Sequence, residues 1–359
     1  MISLHGVQVI GQGVRDLHIE GRTTADFHFD NAIAFSGLIN SHDHLDFNLF
    51  PRLGNRIYAN CVEWGEDIHK THRSAIESIL KIPRNLRTQW GVYKNLFNGV
   101  TTVANHGERL QIDDPVIDVL QCNTLHSVRQ EPHWKVKLNK PFAGSTPFVV
   151  HAGEGTDRES TRDIDALIRW NLFRKELIAV HGVAMTEDQA GAFSAVVWCP
   201  DSNYFLLNTT ADIPRLQKRT KVVFGTDSTL TASWNLWEQL RLARKLGMMT
   251  DETLFESVTT IPAAVWRLPA RQGDIVVAET KGHGLEAWFD INPRDILLVI
   301  QDGKVRLVDE TVSFPVAKFS KVVIQGSTKY VQGDVPGLTA EIRRYAPEVE
   351  IPGEGHQYT

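Results

Sequence analysis

The feature that most restricts the fold of this chain is an order that repeats along it: a short apolar run, then a residue able to do chemistry, then a loop. GLINSHDH, GVTTVANHG, PFVVHAGEG, LIAVHGVAM, AVVWCPDSN and VVFGTDS all follow it. Each run is rich in β-branched residues and short enough for a strand, and helix-like segments lie between several of them. In STRDIDALIRWNLF, Ile164, Leu167, Ile168 and Leu172 fall on one helical face behind a Ser/Thr cap. In SWNLWEQLRLARKLGM, Leu236, Trp237, Leu240, Leu242 and Ala243 recur at helical intervals. Strand first and functional group last is the order expected of a (β/α)8 barrel, whose active site lies where the strands end.

The two ends of the chain have another texture. From Met1 to about Phe35 the runs ISLHGVQVI, LHIEG and FHFDNAIAFSG read as small antiparallel strands. GDIVVAE and DILLVIQDGKVRLVDE repeat the pattern near the C-terminus, with Asp302-Gly303 as a hairpin turn. The two ends are expected to share one sheet. Beyond about Gln325, glycine, proline and charge increase toward PGEGHQYT, as in a peripheral tail. The expected units are 1–35 with 269–331, then 36–268, then a tail at 332–359.

A chain of 359 residues that is 42% hydrophobic can bury a large core. Its net charge of −5 offers no basic surface for nucleic acid or anionic membrane. Cys61, Cys122 and Cys199 stand singly, which suggests neither disulfides nor a thiolate metal site. The N-terminus lacks a signal-like pattern and no apolar stretch is long enough to span a membrane, so a cytoplasmic location is expected.

In a strand, His42 and His44 leave the same face and can converge on one metal. His151 follows FVV and Asp227 follows VVF, each at a strand end. Three imidazoles and one carboxylate leave a coordination position for water, as a catalytic metal requires. Read singly, His151 is an ordinary strand-end histidine and Asp227 a helix cap; it is their joint placement that points to metal. Imidazole and carboxylate suit zinc and iron alike, zinc being the first expectation. Glu154 lies near the same mouth, where a carboxyl of raised pKa can carry protons, and His181 can stabilise developing charge. No GxSxG elbow and no GxxxxGK[ST] loop occurs, so metal-activated water is the strong remaining chemistry.

Taken in order, GLINSHDHLD, GVTTVANHG, HAGEG, VHGVAMTEDQA, WCPDSNYFLLN and FGTDSTLTASWNLWEQLRLA resemble the amidohydrolase superfamily, in particular its chlorohydrolase/aminohydrolase and cytosine-deaminase-like branch. The resemblance implies a distorted TIM (β/α)8 barrel with a small β-sandwich built from both termini. It implies one divalent metal held by His42, His44, His151 and Asp227, since no bridging fourth-strand lysine can be placed. It gives Glu154 the role of proton shuttle, Asp227 that of proton acceptor from water, and His181 that of polarising the nucleophile. The implied reaction is hydrolysis at an sp2 carbon of a small aminated heterocycle with release of ammonia. The alternatives are hydrolysis of a cyclic amide or a C–halide bond at the same metal, and a non-catalytic barrel that binds a metabolite. Relatives commonly form dimers, which makes a homodimer the matching expectation.

Two departures from that pattern carry expectations of their own. Only about forty residues separate GVTTVANHG from HAGEG, so barrel units three and four are expected to be compressed. His126, Arg129, Glu131 and His133 lie in that stretch, where side chains can reach a pocket, although each read alone belongs to a polar loop. RQGDIVVAETKGHG also replaces the usual entry to the C-terminal strands, so the sandwich is expected to be reduced.

Overall fold

The computed structural model describes residues 1–21, 24–112, 114–141, 146–269 and 273–353. The final residues of PGEGHQYT and the start of RQGDIVVAE lie outside the described residues.

The runs that end in chemistry-bearing residues are strands of two parallel sheets. Leu38–Asp43, Val100–Asn105 and Asp118–Gln121 form one. Asn123–Leu125, Phe148–Ala152, Leu177–His181, Ala195–Trp198 and Lys221–Phe224 form the other, each strand beside its sequence neighbour. Leu38–Asp43, Val100–Asn105, Phe148–Ala152, Leu177–His181 and Ala195–Trp198 are buried along their whole length. That is why they read as continuous apolar runs rather than as alternating ones. At one seam between the sheets, the Thr226 and Asp227 N–H groups both donate to the His42 carbonyl at 3.1 Å. At the other, a single extended run serves both sheets: Asp118–Gln121 pairs with Val100–Asn105, and after Cys122 Asn123–Leu125 pairs with Phe148–Ala152. The third and fourth strand positions are therefore halves of one run with no helix between them. This is the physical form of the compression expected there, and it corrects the count of full strand–helix units to fewer than eight.

The chain ends do share a sheet. Its eight strands run in the order Phe319–Ile324, Ser327–Gln332, Lys304–Asp309, Ile296–Gln301, Ile275–Glu279, Ala25–Ser36, Ile2–Val9, Gly13–Ile19. Alternate side chains serve two cores. Ile33, Phe35, Val276 and Ala278 face the main core, whereas Ala32, Ala34 and Val277 pack with Leu4, Phe27 and Leu298. Asp302 (φ +50°) and Gly303 (φ +64°) form the expected tight turn.

Helix Arg158–Trp170 buries Ile164 and Leu167, with Asp157 rather than a serine or threonine as its cap, accepting from the Ser160 N–H at 2.7 Å. Leu172 lies past its end and is exposed. Helix Leu236–Leu246 buries Leu236, Trp237, Leu240 and Ala243. The segment expected as a tail is largely built in. Its Gln325-Gly326 pair is a hairpin turn, Pro336 sits in the first turn of helix Val335–Tyr345, and that helix packs on helix Arg84–Phe97 with Leu338 and Ile342 buried. Gly and Pro there punctuate structure rather than end it. Ile342→Ala is expected to cost about 2–4 kcal/mol in denaturant unfolding. A loss below about 0.5 kcal/mol, the range of neutral surface changes, would mean that this helix is not docked in solution.

Candidate metal centre and acid–base site

His42 ends its strand fully buried, and His44 follows two residues later with its side chain 14% exposed. Nε2 of His151 lies 3.3 Å from Nε2 of His42 and 3.3 Å from Nε2 of His44. Asp227 Oδ1 lies 3.8 Å from each of the two strand-one nitrogens. Metal–ligand bonds of about 2.0–2.1 Å in a tetrahedral zinc site put ligand atoms about 3.3–3.4 Å apart. The His151 nitrogen already has that spacing from the His42 and His44 nitrogens, and the carboxylate oxygen lies somewhat farther from those two. Burial, reinforced by the neighbouring imidazoles, pushes His42 and His151 well below the ordinary histidine pKa. Both are thus neutral, as ligation requires. Among the described residues, His42, His44 and Asp227 form one group of candidate metal donors and His42, His151 and His181 another, each with its ligand atoms within 4.8 Å of one another.

The surroundings hold these groups in place. His151 Nδ1 faces His126 Nδ1 at 3.1 Å, so a His151 that offers Nε2 to a metal donates its Nδ1–H to His126. His106 stacks on His151 with centroids 4.2 Å apart and planes 8° from parallel. Asp227 Oδ2 accepts from Ser202 Oγ (2.8 Å) and Thr231 Oγ1 (3.0 Å), and Oδ1 accepts from the Ser228 N–H (2.8 Å). Burial would raise the Asp227 pKa, but the His44 and His181 rings and these hydrogen bonds outweigh it and hold the carboxylate below its usual value.

Between the two histidines, Asp43 points the other way, into the protein. Its side chain is 0% exposed, and Oδ2 accepts from Lys94 Nζ (2.8 Å) and Asn95 Nδ2 (2.7 Å), while Oδ1 accepts from Asn48 Nδ2 (2.8 Å). Asn40 completes the network by donating to Thr226 Oγ1 at 2.7 Å and accepting from the Thr226 N–H at 3.0 Å.

Glu154 and His181 form the acid–base side. Glu154 Oε1 lies 3.5 Å from His181 Nε2. Burial raises the Glu154 pKa, with the nearby Asp227 charge adding to the rise and the His181 ring opposing it. His181 (φ +74°) and Asp227 (φ +55°) both adopt left-handed backbone, which non-glycine residues rarely do outside sites that require it.

The structure thus brings His42, His44, His151, Asp227, Glu154 and His181 to one place. Of the four further side chains considered for the pocket, His126 meets His151, and Arg129 lines a small cavity beside His151 and Glu154. Arg129 pairs with Asp163 at 2.6 Å, Glu131 with Lys137 at 3.1 Å, and His133 caps a short helix in the open. Sequence reasoning did not single out His106, Ser202, Asn203, Asp43 or Lys94. The first three stand in motifs already read as strand ends, NHG and PDSN; nothing in the sequence marks Lys94. A cavity of about 780 Å3 lies beyond the loops after His44 and Asp227, walled by Phe50, Arg52, Thr229, Trp234 and Ile351, and none of the six convergent residues lines it.

The sequence matches no family model and no curated protein. Solved structures do match. A zinc-bound adenosine deaminase from Xanthomonas campestris aligns with a TM-score of 0.71 at 16% identity, over 96% of this chain and 98% of that one. The zinc complex of atrazine chlorohydrolase TrzN from Arthrobacter aurescens gives 0.68 at 15%, over 97% and 100%. N-isopropylammelide isopropylaminohydrolase from Burkholderia multivorans gives 0.60 at 16%, over 85% and 97%. At such identity the likeness is one of fold, and it agrees with the mixed α/β architecture of parallel sheets described above. No helix of the described residues is long and apolar enough to cross a membrane.

Lys94→Met should leave the Asp43 carboxylate buried without its cation and cost about 3–5 kcal/mol by thermal or denaturant unfolding. A variant as stable as the parent would show that Asp43 is not charged in the folded chain.

Proposed function

We propose that this chain is a metal-dependent hydrolase that deaminates a small aminated heterocycle. The observation that carries the reading is the convergence of imidazole nitrogens from His42, His44 and His151 and one carboxylate beside a buried acid. On this reading His42, His44, His151 and Asp227 hold a single zinc ion, with iron as the other candidate. Residues 36–268 form the hydrolase barrel, closed across its two seams, and 1–35 with 269–331 form the accessory β unit. Zinc, when bound, lowers the pKa of water and so supplies a nucleophile near neutral pH.

The remaining chemistry belongs to the protein. Asp227 keeps Oδ2 tied to Ser202 and Thr231 and is held ionised, so it can take a proton from the attacking water. Glu154, whose raised pKa favours the protonated form, donates to the ring nitrogen or to the departing amine. His181 faces Glu154 and steadies negative charge as it develops. The Glu154 acid favours deamination over loss of halide, because ammonia must be protonated to leave whereas chloride need not be. The neighbouring solved structures include a deaminase, a chlorohydrolase and an alkylaminohydrolase.

Zinc-loaded protein offered aminated pyrimidines, purines, pterins and triazines should release ammonia from at least one class. Release of chloride or alkylamine with no ammonia would replace deamination by the neighbouring chemistry. His42→Ala should abolish metal binding, read by elemental analysis. Glu154→Gln should keep the metal while turnover falls about 100-fold or more. A metal-replete Glu154→Gln enzyme of full activity would remove Glu154 from the mechanism.

A further inference from the structure

His181 offers Nε2 toward the same centre, close enough that His42, His151 and His181 form a second conceivable ligand group beside His42, His44 and Asp227. Which role it takes depends on where its proton sits, and a chain of buried hydrogen bonds behind it decides that.

Trp198 Nε1 lies 2.7 Å from Thr210 Oγ1. An indole N–H can only donate, so the hydroxyl oxygen accepts here. Thr210 Oγ1 lies 3.1 Å from Asn203 Oδ1, and Asn203 Nδ2 lies 2.9 Å from His181 Nδ1. Trp198, Asn203 and His181 are at most 1% exposed and Thr210 is 9% exposed. With its oxygen accepting from the indole, the hydroxyl sends its own proton to Asn203 Oδ1. The amide group then donates to His181 Nδ1, which must be bare, and the imidazole proton sits on Nε2. The reversed amide would have the Thr210 oxygen accept twice, leaving its proton with no acceptor among the described residues, at a cost of about 1–3 kcal/mol for a buried donor.

We infer that Asn203, oriented by Thr210 and Trp198, is a positioning residue that fixes His181 as the Nε2–H tautomer and so makes it a hydrogen-bond donor to the reacting centre rather than a metal ligand. The assignment of His181 to catalysis rests on the function proposed above; the tautomer rests on the hydrogen-bond chain, whose other members, Asn203, Thr210 and Trp198, belong to neither candidate ligand group. The device suits an amide and not a carboxylate. An aspartate at 203 can only accept, and would draw a proton onto Nδ1.

The test is long-range 1H–15N correlation on the full chain with 15N-labelled histidine, with and without added zinc, the His181 signals being assigned by their loss in His181→Asn. Wild type should show a protonated Nε2 and bare Nδ1 in both conditions. Asn203→Asp should place a proton on Nδ1. Thr210→Ser should keep the wild-type pattern, and Thr210→Val, which frees the amide to turn, should mix the two tautomers. Protonated Nδ1 in the wild type, or bare Nδ1 in Asn203→Asp, would overturn the inference. If Asn203→Asp does not fold, Thr210→Val decides: an unmixed wild-type pattern there overturns the relay. A chain that binds no zinc yet shows the wild-type pattern would sink the proposed function and leave this inference standing. Given an active substrate, Asn203→Asp should lower kcat about 100-fold with KM changed less.

Discussion

The ion pair between Asp43 and Lys94 is the constraint around which the site is built. Both side chains are essentially inaccessible, so neither charge is tolerable without the other. Two asparagine amides, from Asn48 and Asn95, satisfy the rest of the carboxylate. Because alternate residues of a strand face opposite ways, pinning Asp43 inward on helix Arg84–Phe97 forces His42 and His44 outward together. Through Asn40 and Thr226 the same network reaches the strand that presents Asp227. The arrangement of the candidate donors is therefore prepared from behind, by groups that are not among them.

A second cluster of supports comes from the start of helix Pro200–Leu207. Successive residues there serve three different partners. Asp201 pairs with Arg52 and accepts from the Ser233 N–H, tying together the loops that follow His44 and Asp227. Ser202 donates to Asp227, and Asn203 donates to His181. One helical turn thus orients Asp227, His181 and the loops around them. This arrangement explains how His181 and Asp227 can persist in left-handed backbone: each is over-determined by hydrogen bonds to its side chain.

The shortened stretch between Asn105 and Phe148 also has a consequence at the site. Since one extended run serves both sheets, the residues at its end and at the end of the preceding strand come close to His151. His106 stacks on that ring, donates Nε2–H to the Leu125 carbonyl at 3.1 Å and borders the rings of His42 and His44. His126, at the end of the run, takes the far nitrogen of His151. Six imidazoles pack together here, His106 and His126 joining the four placed at strand ends by the sequence, and burial holds the His106 ring well below the ordinary histidine pKa.

The sequence by itself determined the order of strand and functional group, the six residues that meet at the centre, the sharing of one sheet by the two chain ends, and the Asp302-Gly303 turn. All of these rest on short-range regularities, namely strand alternation, strand-end placement and turn chemistry, which a single sequence records. Only the tertiary structure decided the rest. Lys94 reads as one more helical lysine, and its burial against Asp43, far off in sequence, leaves no local trace. The cap at Asp157, the docked C-terminal helix and the fusion of two strand positions into Asp118–Leu125 were likewise settled by packing, which overrides local propensity wherever a buried face is to be completed. Whether a histidine donates, accepts or ligates was settled last, by which partners folding brought to its second nitrogen.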